Sequence, residues 1–344
     1  MTPTPEPLLS VRDLRVSFGP VEAVRGLSFD VREGEVLAVV GESGAGKSLT
    51  ARALLGMPPR EATVTGSVRT GPYELVGAPR SVRAALWGRR LALVPQDALS
   101  ALSPVHPVAD QLAAAVRSVE RVSRKAARAR AVAALEEVGI AAAQSRSYPH
   151  EFSGGMRQRA VIAMAMLHSP ALVVADEPTT AQDPETQRQV LGLLADRTEA
   201  AGAALVLVTH DLATVREHAD RMLVMYAGRL AEEGPVDKVF ARPRAPYTAG
   251  LLSSSLPQEY AEKLSRPGDR LQRRGRRLPS IPGTPPNPAD LPPGCAFAPR
   301  CPLAEATRCH TESPEPQTHD GHSVACHRWR ELPAQPADLF LESA

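Results

Sequence analysis

The stretch GESGAGKS, Gly41 to Ser48, decides the fold of this chain of 344 residues. It fits G-x-x-x-x-G-K-[ST], the pattern of a loop that binds phosphate groups. The apolar stretch EVLAVVG at 35–41 leads into it and reads as a β-strand, and the helix-like stretch LTARALLG at 49–56 follows it. A short motif can match by chance, but this one lies between a strand and a helix, where a phosphate loop must lie. The sequence therefore predicts a nucleotide-binding loop.

The residue types of this loop indicate how it would hold a nucleotide. Glycines let successive backbone N–H groups turn toward an anion, and the positive end of the following helix attracts that anion further. Lys47 would reach the β- and γ-phosphates, and the Ser48 hydroxyl would complete the shell of a bound Mg²⁺ ion. The predicted nucleotide-binding residues of the loop are Gly41, Glu42, Ser43, Gly44, Ala45, Gly46, Lys47 and Ser48.

Two later apolar runs end in polar residues that suit hydrolysis. The stretch ALVVADEP ends its strand in Asp176 and Glu177. Asp176 would hold Mg²⁺ through water, and Glu177 would orient and deprotonate the attacking water. The alternative is an acidic pair at a solvated strand end, which the phosphate loop disfavours. His210 ends the run ALVLVTH and would contact the γ-phosphate, although a histidine at a strand end often serves a structural hydrogen bond instead.

The remaining periodicity predicts an α/β fold. LLSVRDLRVSF at 8–18 and LSFDV at 27–31 read as strands, and the alanine-rich region of about 97–169 is helical. Its amphipathic stretch ARARAVAALEEVGI is expected to pack on a core. The helical stretch PETQRQVLGLLADRTEA separates the two apolar runs, which indicates buried parallel strands with crossover helices.

The character of the sequence changes after Gly234 to proline-rich loops with little periodicity. IPGTPPNPADLPPG at 281–294 should be extended and cannot form a core by itself. We therefore predict a main domain at 1–234 and a C-terminal extension at 235–344. The basic stretch RLQRRGRRLP at 270–279 is interpreted as a solvated linker, with contact to lipid head groups or to a partner as the alternative.

Composition disfavours several classes of protein. Hydrophobic residues make up 43% of the chain and charged residues 23%, as in ordinary globular proteins. A net charge of +2 argues against a dedicated nucleic-acid binder. The opening MTPTPEPLLS lacks the features of a signal peptide, and no run of roughly 20 apolar residues predicts a membrane-spanning helix. We expect a cytoplasmic chain that is able to sit against a membrane protein.

YPHEFSGGMRQR at 148–159 is a stretch that generic phosphate-loop proteins lack, and it resembles the signature motif of the ATP-binding-cassette (ABC) family. Its FSGGMRQR form is similar to the ATPases of oligopeptide and dipeptide permeases. The family's order of motifs is intact, with VPQDALSALSP before the signature and ADEPTTAQD and VTHD after it. The resemblance covers the whole chain, because PYTAGLLSSSLP and LPSIPGTPPNPADLPPGCAFAPRC look like that subfamily's C-terminal extension. GESGAGKSLTARALLGM looks more like the D-type than the F-type ATPase subunit.

This resemblance implies a P-loop NTPase core with an antiparallel β subdomain, an α-helical subdomain at about 97–169 and a loop-rich C-terminal extension. It implies that Gln96 joins the γ-phosphate and Mg²⁺ to the helical subdomain. Asp183 would lie in the loop that crosses the dimer interface, and Phe18 would stack on adenine, with a core phenylalanine as the alternative. Gln182 stands where the family usually has leucine, which puts coupling between the two ATP sites in doubt.

The signature also has a physical rationale. Ser153, Gly154 and Gly155 would open a helix whose free N–H groups and hydroxyl bind a γ-phosphate. In the family this helix faces the nucleotide of the opposite subunit, so that each ATP lies between two chains. The resemblance therefore implies a second ABC ATPase as partner, either an F-type chain or another copy of this one.

The function that the resemblance implies is ATP hydrolysis that powers an importer of peptides or of a related small solute. Its partners would be two transmembrane permease subunits and, indirectly, an extracellular solute-binding protein, with this chain on the cytoplasmic face of the cell membrane. The alternatives are an importer of nickel or another solute in the same family, and a non-transport ABC ATPase that acts as a regulator. Nucleic acid is not an expected partner.

The four cysteines of the chain lie together near its end: Cys295, Cys301, Cys309 and Cys326. In a reducing compartment such a cluster favours metal over disulfides. Four thiolates suit a tetrahedral zinc ion or a cubane iron–sulfur cluster, and their spacing does not choose between them. The resemblance implies a [4Fe–4S] cluster. Zinc is the second interpretation and unligated thiols are the third, and nearby histidines would be able to replace a cysteine.

Overall fold

A computed structural model describes residues 6–179, 182–255, 280–333 and 339–340 of the chain. The basic stretch at 270–279, interpreted above as a linker, lies outside these residues. Within the described part of the chain, no helix is both long and apolar enough to cross a lipid bilayer.

An antiparallel sheet of four strands forms the first layer, in the spatial order β2-β1-β4-β5. Its strands are β1 (Leu9–Phe18), β2 (Val21–Val31), β4 (Thr63–Thr70) and β5 (Tyr73–Glu74). β1 alternates buried and exposed side chains and pairs with both β2 and β4. This sheet is the antiparallel β subdomain that the sequence predicted.

An eight-stranded sheet forms the centre of the molecule, in the order β11-β12-β10-β9-β3-β8-β7-β6. Its strands are β3 (Val36–Val40), β6 (Leu91–Val94), β7 (Leu172–Asp176), β8 (Ala204–Val208), β9 (Arg221–Tyr226), β10 (Arg229–Pro235), β11 (Gln317–His319) and β12 (His322–Val324). The pairs between β9, β3, β8, β7 and β6 are parallel, and those between β9, β10, β12 and β11 are antiparallel. The predicted parallel strands with crossover helices are therefore present.

The helices lie where the sequence placed them over most of the chain. They are α1 (Lys47–Leu54), α2 (Arg80–Leu86), α3 (Ala98–Ala101), α4 (Val108–Val119), α5 (Arg124–Glu137), α6 (Gly154–Met166), α7 (Pro184–Ala200), α8 (Leu212–His218), α9 (Val236–Ala241), α10 (Pro246–Ser255) and the short α11 (Arg308–Thr311). α7 has the bounds of the predicted helical stretch, and α3 to α6 make up the helical region predicted at about 97–169. Ala127, Ala131 and Leu135 of α5 are fully buried, as its amphipathic pattern predicts.

The expectation of loops directly after Gly234 was wrong for residues 236–241 and 246–255, which form α9 and α10. Each helix has a proline at its start, Pro235 before α9 and Pro246 as the first residue of α10. Proline is compatible with the first turn of a helix because the N–H that it lacks has no partner there. These prolines begin helices that an interpretation based on proline content overlooks.

The C-terminal extension packs on the main domain. β12 pairs with β10, and β10 itself crosses the predicted boundary at Gly234. Phe297 and Tyr247 join Met222 and Val224 of β9 in one buried apolar cluster. The division into 1–234 and 235–344 stays a prediction, and the extension uses strands of the central sheet as its support.

Candidate functional site

The phosphate loop connects β3 to α1, and its backbone requires glycine at two positions. Gly41 has φ +150° and Gly46 has φ +95°. A Cβ atom would lie 2.2 Å from the Met225 carbonyl oxygen at Gly41 and 2.6 Å from the Ala23 carbonyl oxygen at Gly46. No real Cβ contact is that short, so neighbouring strands hold the loop in a shape that only glycine permits.

Lys47 and Ser48, the first residues of α1, point back toward the strand ends. The Lys47 ammonium donates hydrogen bonds to the carbonyl oxygens of Gly41, at 2.8 Å, and Glu42, at 3.1 Å. The Ser48 hydroxyl donates to Asp176 Oδ1 at 2.8 Å. The structure therefore brings the predicted phosphate-binding lysine together with two of the three predicted Mg²⁺ ligands, Ser48 and Asp176; the third, Gln96, contacts Glu177.

Glu177 lies one residue beyond β7, in the left-handed region with φ +44°. Its N–H donates to the Val208 carbonyl oxygen at 2.9 Å, which fixes this turn against β8. Its carboxylate lies 4.0 Å from Lys47 Nζ and 3.6 Å from His210 Nδ1, and it accepts a hydrogen bond from Gln96 Nε2 at 3.3 Å. A strained residue at such a junction is typical of functional sites.

Burial shifts the pKa of two of these groups. Burial lowers the pKa of Lys47, and the negative charges of the nearby Glu177, Asp176 and Glu42 carboxylates oppose this decrease. It also raises the pKa of Asp176, a rise that the Ser48 hydrogen bond opposes and the charge of Glu177 supports. Burial makes the charged form of each group less favourable, so a ligand of opposite charge would stabilise that form.

A cavity of about 550 Å³ opens beside the loop. Its lining includes Lys47, Glu177 and His210, and it also includes Ser280 and Ile281 from the C-terminal extension. The exposed side chain of His210 borders this space from the end of β8. The predicted catalytic residues Gln96, Glu177 and His210 therefore form one group at the edge of the parallel strands.

The signature residues and Asp183 are not part of this group. Ser153 caps α6, with its hydroxyl accepting a hydrogen bond from the Met156 N–H at 3.2 Å, and it is exposed together with Gly154. Asp183 caps α7 by accepting from the N–H groups of Glu185 and Thr186. Neither segment lines the cavity beside the phosphate loop. Their predicted role toward a second chain stays a prediction.

Phe18, at the end of β1, is partly buried and packs against the apolar core. Both interpretations of this residue, adenine stacking and core packing, are compatible with that position.

Two residues that no motif of the sequence indicated hold the phosphate loop from outside. The N–H of Glu42 donates to the Tyr247 hydroxyl at 2.8 Å, and the Glu42 carboxylate pairs with Arg300. These partners are 205 and 258 positions away in the sequence. No local pattern marks either of them, although Arg300 precedes Cys301 in the cysteine-rich segment.

The four cysteines of the extension surround a second cavity, of about 70 Å³. All four are free thiols that line it: Cys295, Cys301, Cys309 and Cys326. The segments that carry them are joined by a hydrogen bond from the Cys295 N–H to the Cys309 carbonyl oxygen, at 2.8 Å. The structure thus brings together the predicted set of thiols.

The surroundings of this cavity combine buried thiols with cationic groups. Burial, supported by the other thiols, raises the pKa of Cys301 to about 11 and that of Cys326 to about 12. Arg25, Arg229 and Arg328 contribute to the lining. Among the described residues, no three of the His, Cys, Asp and Glu side chains lie close enough to hold a single metal ion.

Comparison with known families matches two parts of the chain. Residues 24–180 match a family described as ABC transporter, and residues 231–309 match one described as oligopeptide/dipeptide transporter, C-terminal region. The first match begins before the phosphate loop and ends after Glu177, and the second includes three of the four cysteines.

Curated relatives match over nearly all of the chain. The dipeptide transport ATP-binding protein DppD of Bacillus subtilis is 41% identical over 93% of this chain and 94% of its own length. A probable peptide ABC transporter ATP-binding protein, y4tR, of Sinorhizobium fredii is 42% identical over 96% of this chain and 97% of its own length. The oligopeptide transport ATP-binding protein OppD of Mycobacterium tuberculosis is 47% identical over 94% of this chain and 52% of its own length. The chain therefore spans about half the length of the mycobacterial relatives.

Solved structures share the fold. The ATP-binding cassette MJ0796, solved as a dimer bound to ADP and Pi, superposes with a TM-score of 0.59 over 66% of this chain and 98% of its own. The protein cbiO1 of Clostridium perfringens does so with a TM-score of 0.60 over 69% of this chain and 92% of its own. Each is 23% identical in sequence to this chain, so the comparison concerns the fold alone. The superpositions confirm the predicted α/β fold of an ABC ATPase.

Proposed function

Because the chain belongs to the ABC transporter ATP-binding proteins of the oligopeptide and dipeptide (OppD/DppD) family, we propose that it binds and hydrolyses ATP to power a peptide importer. The names OppD and DppD of its relatives confirm the predicted D-type assignment. One observation carries the proposal: Lys47, Asp176 and Glu177 meet at one edge of the parallel strands, beside a cavity formed by the phosphate loop.

Each group of this site has a role that follows from its position. The loop N–H groups and the Lys47 ammonium attract the phosphates. When ATP binds, its phosphate oxygens replace the carbonyl oxygens of Gly41 and Glu42 as hydrogen-bond acceptors of Lys47. Mg²⁺, when bound, would offset the charge of the phosphates, and Ser48 and Asp176 are the residues that would hold it. Glu177 accepts the proton of the attacking water, and Gln96 and His210 keep its carboxylate oriented.

The exposed signature helix supports a partner subunit in the proposal. Ser153 and Gly154 lie at the open N-terminus of α6, away from this chain's own phosphate loop. A helix of 13 residues with free N–H groups at an exposed end suits a phosphate carried by a second ATPase. We propose an F-type chain as that partner, with Asp183 at the shared interface.

The same proposal places the chain at the cytoplasmic face of the membrane, held by two permease subunits through the helical subdomain. Closure of the ATPase pair around ATP and its reopening after hydrolysis would drive the permease between two states. Peptides are the proposed solute because the relatives that match the chain over nearly all their length have names that refer to peptide or dipeptide transport.

This function is tested by reconstituting the chain with its partner ATPase, permease subunits and binding protein in vesicles. Uptake of a labelled di- or oligopeptide should require ATP and should disappear with Lys47→Ala. ATP hydrolysis without peptide uptake would reject the peptide substrate. Uptake of nickel by the same complex would replace peptides with the alternative solute, and an absence of ATP binding would reject the function as a whole.

A [4Fe–4S] cluster held by Cys295, Cys301, Cys309 and Cys326 is the second part of the proposal. Four free thiols around one cavity provide the donor set that such a cluster uses. A cubane takes each thiolate at a different corner, so the four sulfurs need not converge on one point as they must for zinc. Zinc is the alternative, and the metal content of the purified chain separates the two. The lining arginines would offset the negative charge of the thiolates.

A further inference from the structure

An arginine of the C-terminal extension forms a two-pronged ion pair with the phosphate loop. Arg300 Nη1 lies 2.6 Å from Glu42 Oε2, and Arg300 Nη2 lies 3.0 Å from Glu42 Oε1. The same guanidinium donates to the Tyr226 hydroxyl at 3.1 Å and to the Pro282 carbonyl oxygen at 2.7 Å. The Arg300 side chain is only 7% exposed. Paired donors of this geometry fix the position of a carboxylate more tightly than a single contact does.

Glu42 is held at three points by these contacts. Its carboxylate pairs with Arg300, its N–H donates to Tyr247, and its carbonyl oxygen accepts from Lys47 at 3.1 Å. Two of the three partners belong to the segment after residue 234. The position of the second residue of the phosphate loop therefore depends on the extension.

The turn that carries Arg300 is itself fixed between two cysteines. A 3₁₀ turn at Ala298–Arg300 is closed by hydrogen bonds from the Ala298 N–H to the Cys295 carbonyl oxygen and from the Cys301 N–H to the Ala298 carbonyl oxygen. Phe297, just before the turn, packs against Tyr226 and Tyr247 with ring centroids 5.2 and 5.4 Å apart. Arg300 thus extends from the cysteine cavity to the phosphate loop.

We propose that Arg300 is a positioning residue of the ATP site, which neutralises the Glu42 carboxylate and holds the phosphate loop open to the phosphates. The inference rests on the ATP binding proposed above. It assigns the C-terminal extension a direct part in nucleotide affinity, in addition to any contact with other subunits.

The charge of Glu42 gives this pairing its importance. Glu42 belongs to the loop that we propose to bind the phosphates, and its own carbonyl oxygen accepts a hydrogen bond from Lys47 at 3.1 Å. Without Arg300, a free carboxylate would repel the phosphates and compete with them for Lys47. Loss of the arginine should therefore harm ATP binding more than loss of the whole pair.

The test is an equilibrium titration of the full chain with ATP, in EDTA so that no Mg²⁺ supports hydrolysis. Arg300→Gln should raise the ATP Kd on the order of tenfold, because an unpaired charge remains beside the phosphates. Glu42→Gln/Arg300→Gln should bind ATP more tightly than Arg300→Gln alone. A purely structural role for Arg300 would instead lower the free energy of unfolding of Arg300→Gln without a matching change in the ATP Kd. Arg308→Gln is the matched control, since Arg308 also precedes a cysteine but, within the described part of the chain, its only ion pair is with the exposed Glu312.

The outcomes separate the inference from the function on which it rests. An Arg300→Gln chain that binds ATP within about twofold of the parent overturns the inference. A double variant that is as weak as the single variant also overturns it. If Arg300→Gln does not fold, the ATP Kd values of the double variant and of Arg300→Lys are compared with that of the parent. Three equal Kd values overturn the inference. Loss of binding in Lys47→Ala alone, with Arg300 variants unchanged, keeps the proposed function and rejects only the role of Arg300. A parent that binds no ATP rejects both.

Discussion

The two ends of the central sheet are stabilised in different ways. At the end formed by β3, β8, β7 and β6, parallel strands of aliphatic residues are almost completely buried, and the side chains proposed to be catalytic follow directly from the strand ends. At the end formed by β10, β12 and β11, the strands are antiparallel, β11 and β12 have only 3 residues each, and polar contacts join them to β10 beside the cysteine cavity. The proposed chemistry therefore rests on apolar burial, whereas the extension adds specific polar groups to its apolar contacts.

One carboxylate shows this dependence. Glu232 of β10 is fully buried and accepts hydrogen bonds from the N–H groups of Arg244, at 2.7 Å, and Ala245, at 2.8 Å. His322 Nε2 of β12 lies 2.6 Å from the same carboxylate. A single side chain thus connects the main domain, the start of α10 and the last strands of the extension.

The largest expected effect is at the cysteines. A chain purified without oxygen should contain about four iron and four sulfide per polypeptide, and Cys301→Ser should remove them together with the visible colour. ATP binding by this variant should weaken in the same direction as in Arg300→Gln, because the turn that carries Arg300 ends at Cys301 and would lose the support of the bound cluster. Stoichiometric zinc would keep a metal site and reject the cluster, and a parent without metal would reject both.

The next largest effect concerns the other end of the sheet. Glu177→Gln should lower the rate of ATP hydrolysis by roughly 10²- to 10⁴-fold, because an amide cannot accept the proton of the attacking water. Its ATP Kd should stay near that of the parent. Glu185→Gln, in the exposed first turn of α7, is the control for removing a carboxylate. Hydrolysis by Glu177→Gln at the rate of the parent would mean that another group is the base.

A smaller effect is expected at the junction of the two ends. His322→Ala should lower the free energy of unfolding by about 3 kcal/mol, since it leaves Glu232 buried without its ring partner. His310→Ala, at an exposed position of the same extension, should change it by less than about 0.5 kcal/mol. Urea unfolding followed by circular dichroism measures both. Equal values for the two variants would contradict the importance given to the buried pair.

The smallest effect sharpens the contact between the two regions. Arg300→Lys keeps the positive charge but replaces the two parallel hydrogen bonds to Glu42 with one flexible contact. We expect the ATP Kd to rise only about threefold, between the parent and Arg300→Gln. A lysine variant as weak as the glutamine variant would show that geometry, and not charge, governs the loop.

The sequence could predict the catalytic end of the sheet because its signals are local. The phosphate loop, Asp176, Glu177 and His210 each follow an apolar strand, and parallel strands bring such residues to one edge. Gln96 entered only through the family resemblance, and the structure places it 3.3 Å from Glu177.

The extension could not be predicted in the same way. The prolines before α9 and at the start of α10 concealed two helices, and the pairs Arg300–Glu42 and His322–Glu232 join positions 258 and 90 residues apart. Such contacts depend on how segments fold back on the sheet. A pattern read along the chain contains no information about them.

The most direct test of the whole account measures ATP affinity and the hydrolysis rate at saturating ATP for the parent, Glu177→Gln and Arg300→Gln in the same complex with the partner subunits. The account predicts that Glu177→Gln lowers only the rate and that Arg300→Gln raises only the ATP concentration needed for half-saturation. This result would assign the chemistry to the parallel strands and the positioning of the phosphate loop to the extension. Two variants that change the same quantity, or an Arg300→Gln complex that matches the parent in both, would contradict the account.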